Sequence, residues 1–253
     1  MNARRVVSAF AVAGFLLCAA AFVHAQTPIP GINIRVGNSN NPDEVATSLQ
    51  VLVILTVLTL APAILIMTTS FTRIIIVLAF LRQALGTQQT PPNQVLIGLA
   101  LFLTLFIMQP TWNQVNEQAL QPYLAKRLTQ QQALEKASTP LKQFMSKFVR
   151  EKDLALFVRI AKIQQPRNID DVPFHVIVPA FIISELKTAF QIGFLLYMPF
   201  LVVDLVVSSV LMAMGMMMLP PIMISLPLKL MLFVLVDGWN LIVGALVQSF
   251  FER

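Results

Sequence analysis

The sequence predicts an all-α, membrane-associated protein: hydrophobic helical hairpins and a soluble helical insertion, assembling into an oligomeric ring. Three observations carry that expectation. Of 253 residues, 57% are hydrophobic and 12% charged, whereas a soluble globular chain carries about 25% charged residues. The charge is concentrated, since residues 111–175 hold ten Lys/Arg and six Asp/Glu, 16 of the 30 in the chain. The flanking segments are apolar runs divided by proline-containing breakers, many of them shorter than the roughly 20 residues a simple spanning helix needs. Such runs suit helices whose apolar surface is shared between protein neighbours and lipid, hence an oligomer. An ordinary cytosolic enzyme is excluded.

The elements follow in order. Arg4 and Arg5 precede an apolar run from Val6 to Val23, closed by Val23-His24-Ala25. A charged start, a short apolar run and small residues at the −3 and −1 positions describe a cleavable signal over residues 1–25, with the mature chain beginning at Gln26. Residues 26–44 form a polar arm rich in Pro, Gly and Asn. Asn41-Pro42-Asp43-Glu44 reads as a helix start, its acids suited to the helix dipole. Residues 45–110 are hydrophobic helices: Val45 to Met67, interrupted by Pro62; Ile74 to Leu81, opened by Arg73; and Asn93 to Met108, closed by Gln109-Pro110. GTQQTPP at 86–92 breaks the second from the third.

Residues 111–175 read as an extracytoplasmic helical insertion in which Leu141, Phe144, Met145 and Phe148 recur at helical spacing. With the mature N-terminus outside, two crossings return the chain outside. The connection from Thr68 to Thr90 is then cytoplasmic, and its Arg73 and Arg82 fit the positive-inside tendency. Residues 176–253 form a hydrophobic helical hairpin. Phe174–Phe190 leads into Ile192–Met214, and Ile222–Phe250 is the second arm. Between them lies a sharp break at Gly215 and Pro220-Pro221, which no helix can continue.

Little chemistry is available. Removal of the signal takes Cys18, the sole cysteine, and leaves His175 as the one histidine. A zinc site, a disulfide and a cysteine nucleophile are therefore excluded. No nucleophile-elbow, zincin, P-loop or dinucleotide motif is present. His175 reads as a hydrogen-bonded boundary residue. No catalytic residue, cofactor or metal is expected. The basic balance lacks the Lys/Arg clusters interleaved with aromatics that nucleic acid requires.

Two constellations remain. Glu185, Asp204, Lys229 and Asp237 lie in or beside apolar helices, where an ionisable residue is costly and needs a partner. An intersubunit salt bridge that fixes the assembly is the plainest reading. Glu185 and Lys229, the most apolar-flanked acid and base from different helices, are expected to pair, with Asp204 and Asp237 next. The second constellation is methionine: Met212, Met214, Met216, Met217, Met218 and Met223 make up half of the chain's 12. Such clusters are ordinarily adaptable core. At a Gly/Pro-bounded tip in a ring of subunits, they would instead present a collar of thioethers to a shared axis.

These residues carry a resemblance. Pro179-Ala180-Phe181-Ile182-Ile183-Ser184-Glu185-Leu186-Lys187-Thr188-Ala189-Phe190-Gln191-Ile192-Gly193-Phe194 resembles the signature of the FliP family. So do Pro199-Phe200-Leu201-Val202-Val203-Asp204, Met214-Gly215-Met216-Met217-Met218 with Pro220-Pro221, and Leu226-Pro227-Leu228-Lys229-Leu230. Upstream, Thr69-Ser70-Phe71-Thr72-Arg73 and Pro91-Pro92-Asn93-Gln94 are also similar. The resemblance is weak over 111–165 and strong from 174 onward.

It implies a pore-forming subunit of the bacterial flagellar type III protein export gate, in the inner membrane at the flagellar basal body. It also implies five copies joined to FliQ and FliR, contact with further export components such as FlhB, and unfolded proteins in transit. Hairpins stacked largely on the extracytoplasmic side are implied too, as are a methionine gasket at Met216, Met217 and Met218 and functional charges at Glu185, Asp204 and Lys229. The injectisome counterpart shares these motifs, but the signal and the 65-residue insertion favour the flagellar branch. A small-solute transporter would show inverted repeats around a midplane site, which are not evident, and an intramembrane enzyme is the other alternative.

Overall fold

The computed structural model describes residues 42–253 except 88, 165, 167, 169–170, 217 and 252–253, with side chains from Leu49 onward. The expected signal, most of the polar arm and Met217 lie outside the described residues. The chain divides into two compact units, residues 1–57 and 58–253. The described part of the first is the beginning of one apolar helix; everything below concerns the second.

Every regular element among the described residues is helical. They are α1 (Pro42–Met67), α2 (Phe71–Leu85), α3 (Asn93–Leu124), α4 (Gln130–Phe148), α5 (Glu151–Ile160), α6 (Phe174–Ala213), α7 (Pro221–Leu235) and α8 (Gly238–Phe251). The most apolar part of α1, together with α3 and α6, is long and apolar enough to cross a membrane, and the bent pair α7–α8 is a further candidate. Prolines open two helices, Pro42 of α1 and Pro221 of α7. The first helical position tolerates proline because its N–H has no intrahelical partner.

Several boundaries depart from expectation. The third apolar run does not close at Gln109-Pro110: α3 continues through Pro110, widens into one π turn at Asn116–Leu120, and ends at Leu124. Phe174–Phe190 and Ile192–Met214 are one 40-residue helix containing Pro179 and Pro199, about 60 Å long at 1.5 Å per residue. The second hairpin arm is not continuous, because α7 and α8 meet at a 65° bend. There Asp237 adopts a left-handed φ of 51°. The next residue must be glycine, since a Cβ on Gly238 would lie 2.2 Å from the Phe233 ring.

The core is built at the end of the molecule nearest the insertion. Ile74, Val77 and Leu78 of α2 are buried with Leu103, Ile107 and Met108 of α3, Phe144, Met145 and Phe148 of α4, and Ile177 and Phe181 of α6. The expected apolar face of α4 is the face that packs. Its start is fixed by a capping box, in which Thr129 Oγ1 accepts from the Gln132 N–H and the Gln132 side chain accepts from the Thr129 N–H.

Helix α2 runs parallel to α6. Arg73 meets Glu185, the Phe80 ring packs edge-on against Phe190 and closes on Gly193, and the Ala84 carbonyl reaches Lys229, the partner of Asp204. This corrects the expected topology. Thr68–Arg73 lies beside Phe148 and Phe250, at the insertion end, whereas Gly86–Pro92 lies one 15-residue helix away, about 22 Å. The stretch from Thr68 to Thr90 is therefore not a connection on one side. The physical reason is Arg73 itself: a guanidinium within an apolar run must find protein partners, and those partners sit at the insertion end.

Candidate functional site: a methionine tip and the ion pairs behind it

Arg73 is among the largest fully buried side chains in the molecule. Its Nε donates to Glu185 Oε2 at 2.8 Å and its Nη2 to Glu185 Oε1 at 2.5 Å. Its Nη1 donates to Ser249 Oγ at 3.0 Å and to the Ser249 carbonyl at 3.3 Å. The guanidinium carbon lies 3.8 Å from the Phe250 ring centroid and 5.1 Å from that of Phe148. A planar fork that binds a carboxylate bidentately while stacking on aromatic faces is arginine's particular geometry. One side chain thus joins α2, α4, α6 and α8.

Lys229 of α7 donates to Asp204 Oδ2 at 2.6 Å and to the Ala84 carbonyl at 3.3 Å. Ala84 lies in the last turn of α2, whose unpaired carbonyls and negative dipole end favour a cation. Lys229 is 3% exposed and Asp204 31%. The second Asp204 oxygen, Oδ1, is buried without a donor among the described residues.

The expected pairing of Glu185 with Lys229 is thereby corrected: Glu185 is held by Arg73, and Lys229 by Asp204. The two pairs sit at opposite ends of α2, too far apart to exchange partners. Asp237, expected among the buried charges, is exposed at the α7–α8 bend. Arg73 was read from the sequence only as a topology charge. Its signal was the same as that of Lys229, an ionisable group inside an apolar run.

A third pair docks the insertion on α6. The Lys187 ammonium bonds Asp153 Oδ1, the Ser184 hydroxyl donates to Asp153 Oδ2 at 3.0 Å, and the Arg150 N–H donates to Ser184 Oγ at 3.0 Å. Arg150 also reaches Thr188 and Gln191. Burial by itself would raise the Asp153 pKa. The Lys187 and Ser184 hydrogen bonds, with the Lys187 and Arg150 charges, outweigh it and hold the carboxyl below its ordinary value of 3.8.

A group with a lowered folded pKa contributes stability that is present above its unfolded pKa and lost as pH falls through the folded one. Docking of α5 on α6 is therefore expected to be unchanged from pH 7 to 5 and to weaken below about 4. Asp153→Asn should flatten that acid limb, as read by amide exchange in α5. A wild-type limb that survives the substitution would exclude Asp153 as its origin.

The tip is made by local backbone chemistry. α6 ends in a paired-hydrogen-bond cap: Gly215 has φ +75°, its N–H donates to the Met212 carbonyl at 3.0 Å, and the Met216 N–H donates to the Leu211 carbonyl at 3.0 Å. Pro220 and Pro221 then open α7. Met214, Met216 and Met218 between them are exposed, as are the flanking Met212 and Met223; Met218 is 99% exposed. Nine residues of α6 separate Asp204 from the end of the helix at Ala213, about 14 Å. The tip is thus a cantilever whose last anchor is the Lys229–Asp204 pair.

Comparison with known proteins completes the description. A family profile, described as the FliP family, matches residues 54–246. The flagellar biosynthetic protein FliP of Bacillus subtilis is 58% identical over 217 residues, 86% of this chain and 98% of its own length. The protein of the same name from Pectobacterium carotovorum is 54% identical over 237 residues, 94% of this chain and 91% of its own. That of Aquifex aeolicus is 50% identical over 237 residues, 93% and 97% of the two chains.

Proposed function

The chain belongs to the FliP family, and from that premise we propose that it is a non-enzymatic, pore-forming subunit of the flagellar type III export gate. Five copies join FliQ and FliR, with FlhB among the further contacts. Met216, Met217 and Met218 of each copy line one constriction, through which unfolded flagellar proteins leave the cell. The observation that carries the reading is the exposed methionine tip, standing beyond a buried ion pair that fixes the hairpin behind it. Apolar constrictions stop ions by dewetting, and unbranched thioethers repack around irregular shapes. One collar of methionines therefore suits both holding an ion gradient and admitting chains of varied side chains.

The proposed location is the inner membrane, with residues 111–175 extracytoplasmic. The level of the chain ends supports hairpins that enter from one side. Thr68–Arg73, where α1 gives way to α2, and Ser249–Phe250, near the C-terminus, both lie at the insertion end. With α2 about 22 Å long, shorter than the roughly 30 Å hydrocarbon core, the α2–α3 hairpin dips and returns without crossing. A mature N-terminus outside then requires that α1, too, make no net crossing.

The test is a pair of triple variants. Met216→Ala, Met217→Ala and Met218→Ala together should leave complex yield near normal and make cells leaky to small ions. The corresponding Leu triple should hold ions but slow secretion of flagellar proteins, because branched side chains adapt less. An Ala triple that assembles, leaks nothing and exports at the normal rate returns the methionines to ordinary packing.

A further inference from the structure

We propose that the methionine tip is an oxidation-sensitive switch, in which sulfoxide formed on Met214, Met216 and Met218 converts an apolar collar into a wettable one. The switch rests on the constriction reading above, but the modification itself does not. Its ground is a contrast within one chain. Met108 and Met145 are 0% exposed, whereas Met214 and Met218 are 67% and 99% exposed. Met216 lies between them in the turn that follows the Gly215 cap, with its sulfur-bearing side chain also exposed.

The chemistry needs no other group of the protein. A thioether lone pair attacks one oxygen of a peroxide, the O–O bond breaks, and the proton left on the transferred oxygen passes to the departing hydroxide, giving water. Sulfur is oxidised by two electrons to the sulfoxide as the peroxide is reduced. The product is polar, chiral and a strong hydrogen-bond acceptor, so it disrupts a methionine-rich contact. It is reversible, because methionine sulfoxide reductases, one for each epimer, return it to the thioether. Substitution is also undemanding at this site. The tip backbone is set by Gly215 and by Pro220-Pro221 rather than by methionine packing, so an oxidised tip keeps its fold while changing its polarity.

The experiment uses the assembled complex in membranes, treated with graded hydrogen peroxide and mapped by peptide mass spectrometry. Met214, Met216 and Met218 are expected to be oxidised at doses at least about tenfold below those that touch Met108 and Met145. Ion leakage should rise with tip sulfoxide and fall again on treatment with both classes of reductase. The Leu triple variant at 216–218, which has no thioether at those positions, should gain much less leak at the same doses. Tip methionines oxidised no sooner than Met108 and Met145 would overturn the modification. Tip oxidation without leakage, or an equal leak in the Leu triple, would overturn the switch. The constriction reading is judged separately, by leakage of the Ala triple in the absence of peroxide.

Discussion

Arg73→Met is expected to abolish most recovery of folded protein. The substitution leaves Glu185 fully buried and without its bidentate guanidinium partner. Breaking a buried pair by removing one member costs about 3–5 kcal/mol, a large share of the roughly 5–15 kcal/mol by which a domain is stable. The same change also releases the Ser249 hydrogen bonds and the Phe250 stacking, so α8 should detach with α2. Arg73→Lys should be intermediate, because an ammonium cannot bond both carboxylate oxygens in one plane while stacking on an aromatic face. The deciding variant is the double, Arg73→Met with Glu185→Met, which removes both charges and fills the space with flexible apolar side chains. Thermal aggregation midpoints in detergent should place it well above the Arg73→Met single. If the double is no more stable than the single, the loss comes from cavity formation rather than from a stranded charge.

Removal of Asp204 is expected to do more damage than removal of Lys229. Asp204→Leu strands an ammonium that is 97% buried by its 3% exposure, with only the Ala84 carbonyl left to it. That is the expensive case, about 3–5 kcal/mol. Lys229→Leu strands a carboxylate that is 31% exposed and already carries one undonated oxygen, so water can take over much of the lost contact. Its cost should be about half as large or less. Both variants free the tip from its last anchor, so both should leak in the resting state where they assemble. Complex yield and leak measured side by side would check the order, and equal yields would show that exposure does not govern this pair.

What could be read from the sequence followed from local chemistry. Two consecutive prolines cannot continue a helix, so the tip was legible, and the apolar face of α4 was legible from spacing alone. The π turn that carries α3 past Pro110 was not, because proline inside a helix is tolerated when neighbouring packing compensates. The α7–α8 bend had a signal in Asp237-Gly238, a turn-prone dipeptide, but the surrounding apolar run outweighed it. The charge pairs were legible only as a set of residues. Each had to find a partner, yet the choice depended on α2 lying parallel to α6, and no local pattern encodes that register. Glu185 sits 112 positions from Arg73 in sequence, so flanking hydrophobicity could rank the charges without matching them.

That separation has a consequence for how the molecule is made. Arg73 emerges from the ribosome well before any of its partners. At about 5–20 residues per second, Glu185 follows roughly 6–20 s later, and Ser249 and Phe250 come only in the last few residues of the chain. Throughout that interval α2 is an apolar segment bearing an unneutralised cation, which a translocation channel inserts at a penalty of about 2.5–3.5 kcal/mol. The segment has reason to linger at the channel or at the membrane surface until the long helix arrives. Burial of the arginine is then one of the last events of synthesis, and it reports that the chain has been translated to its end.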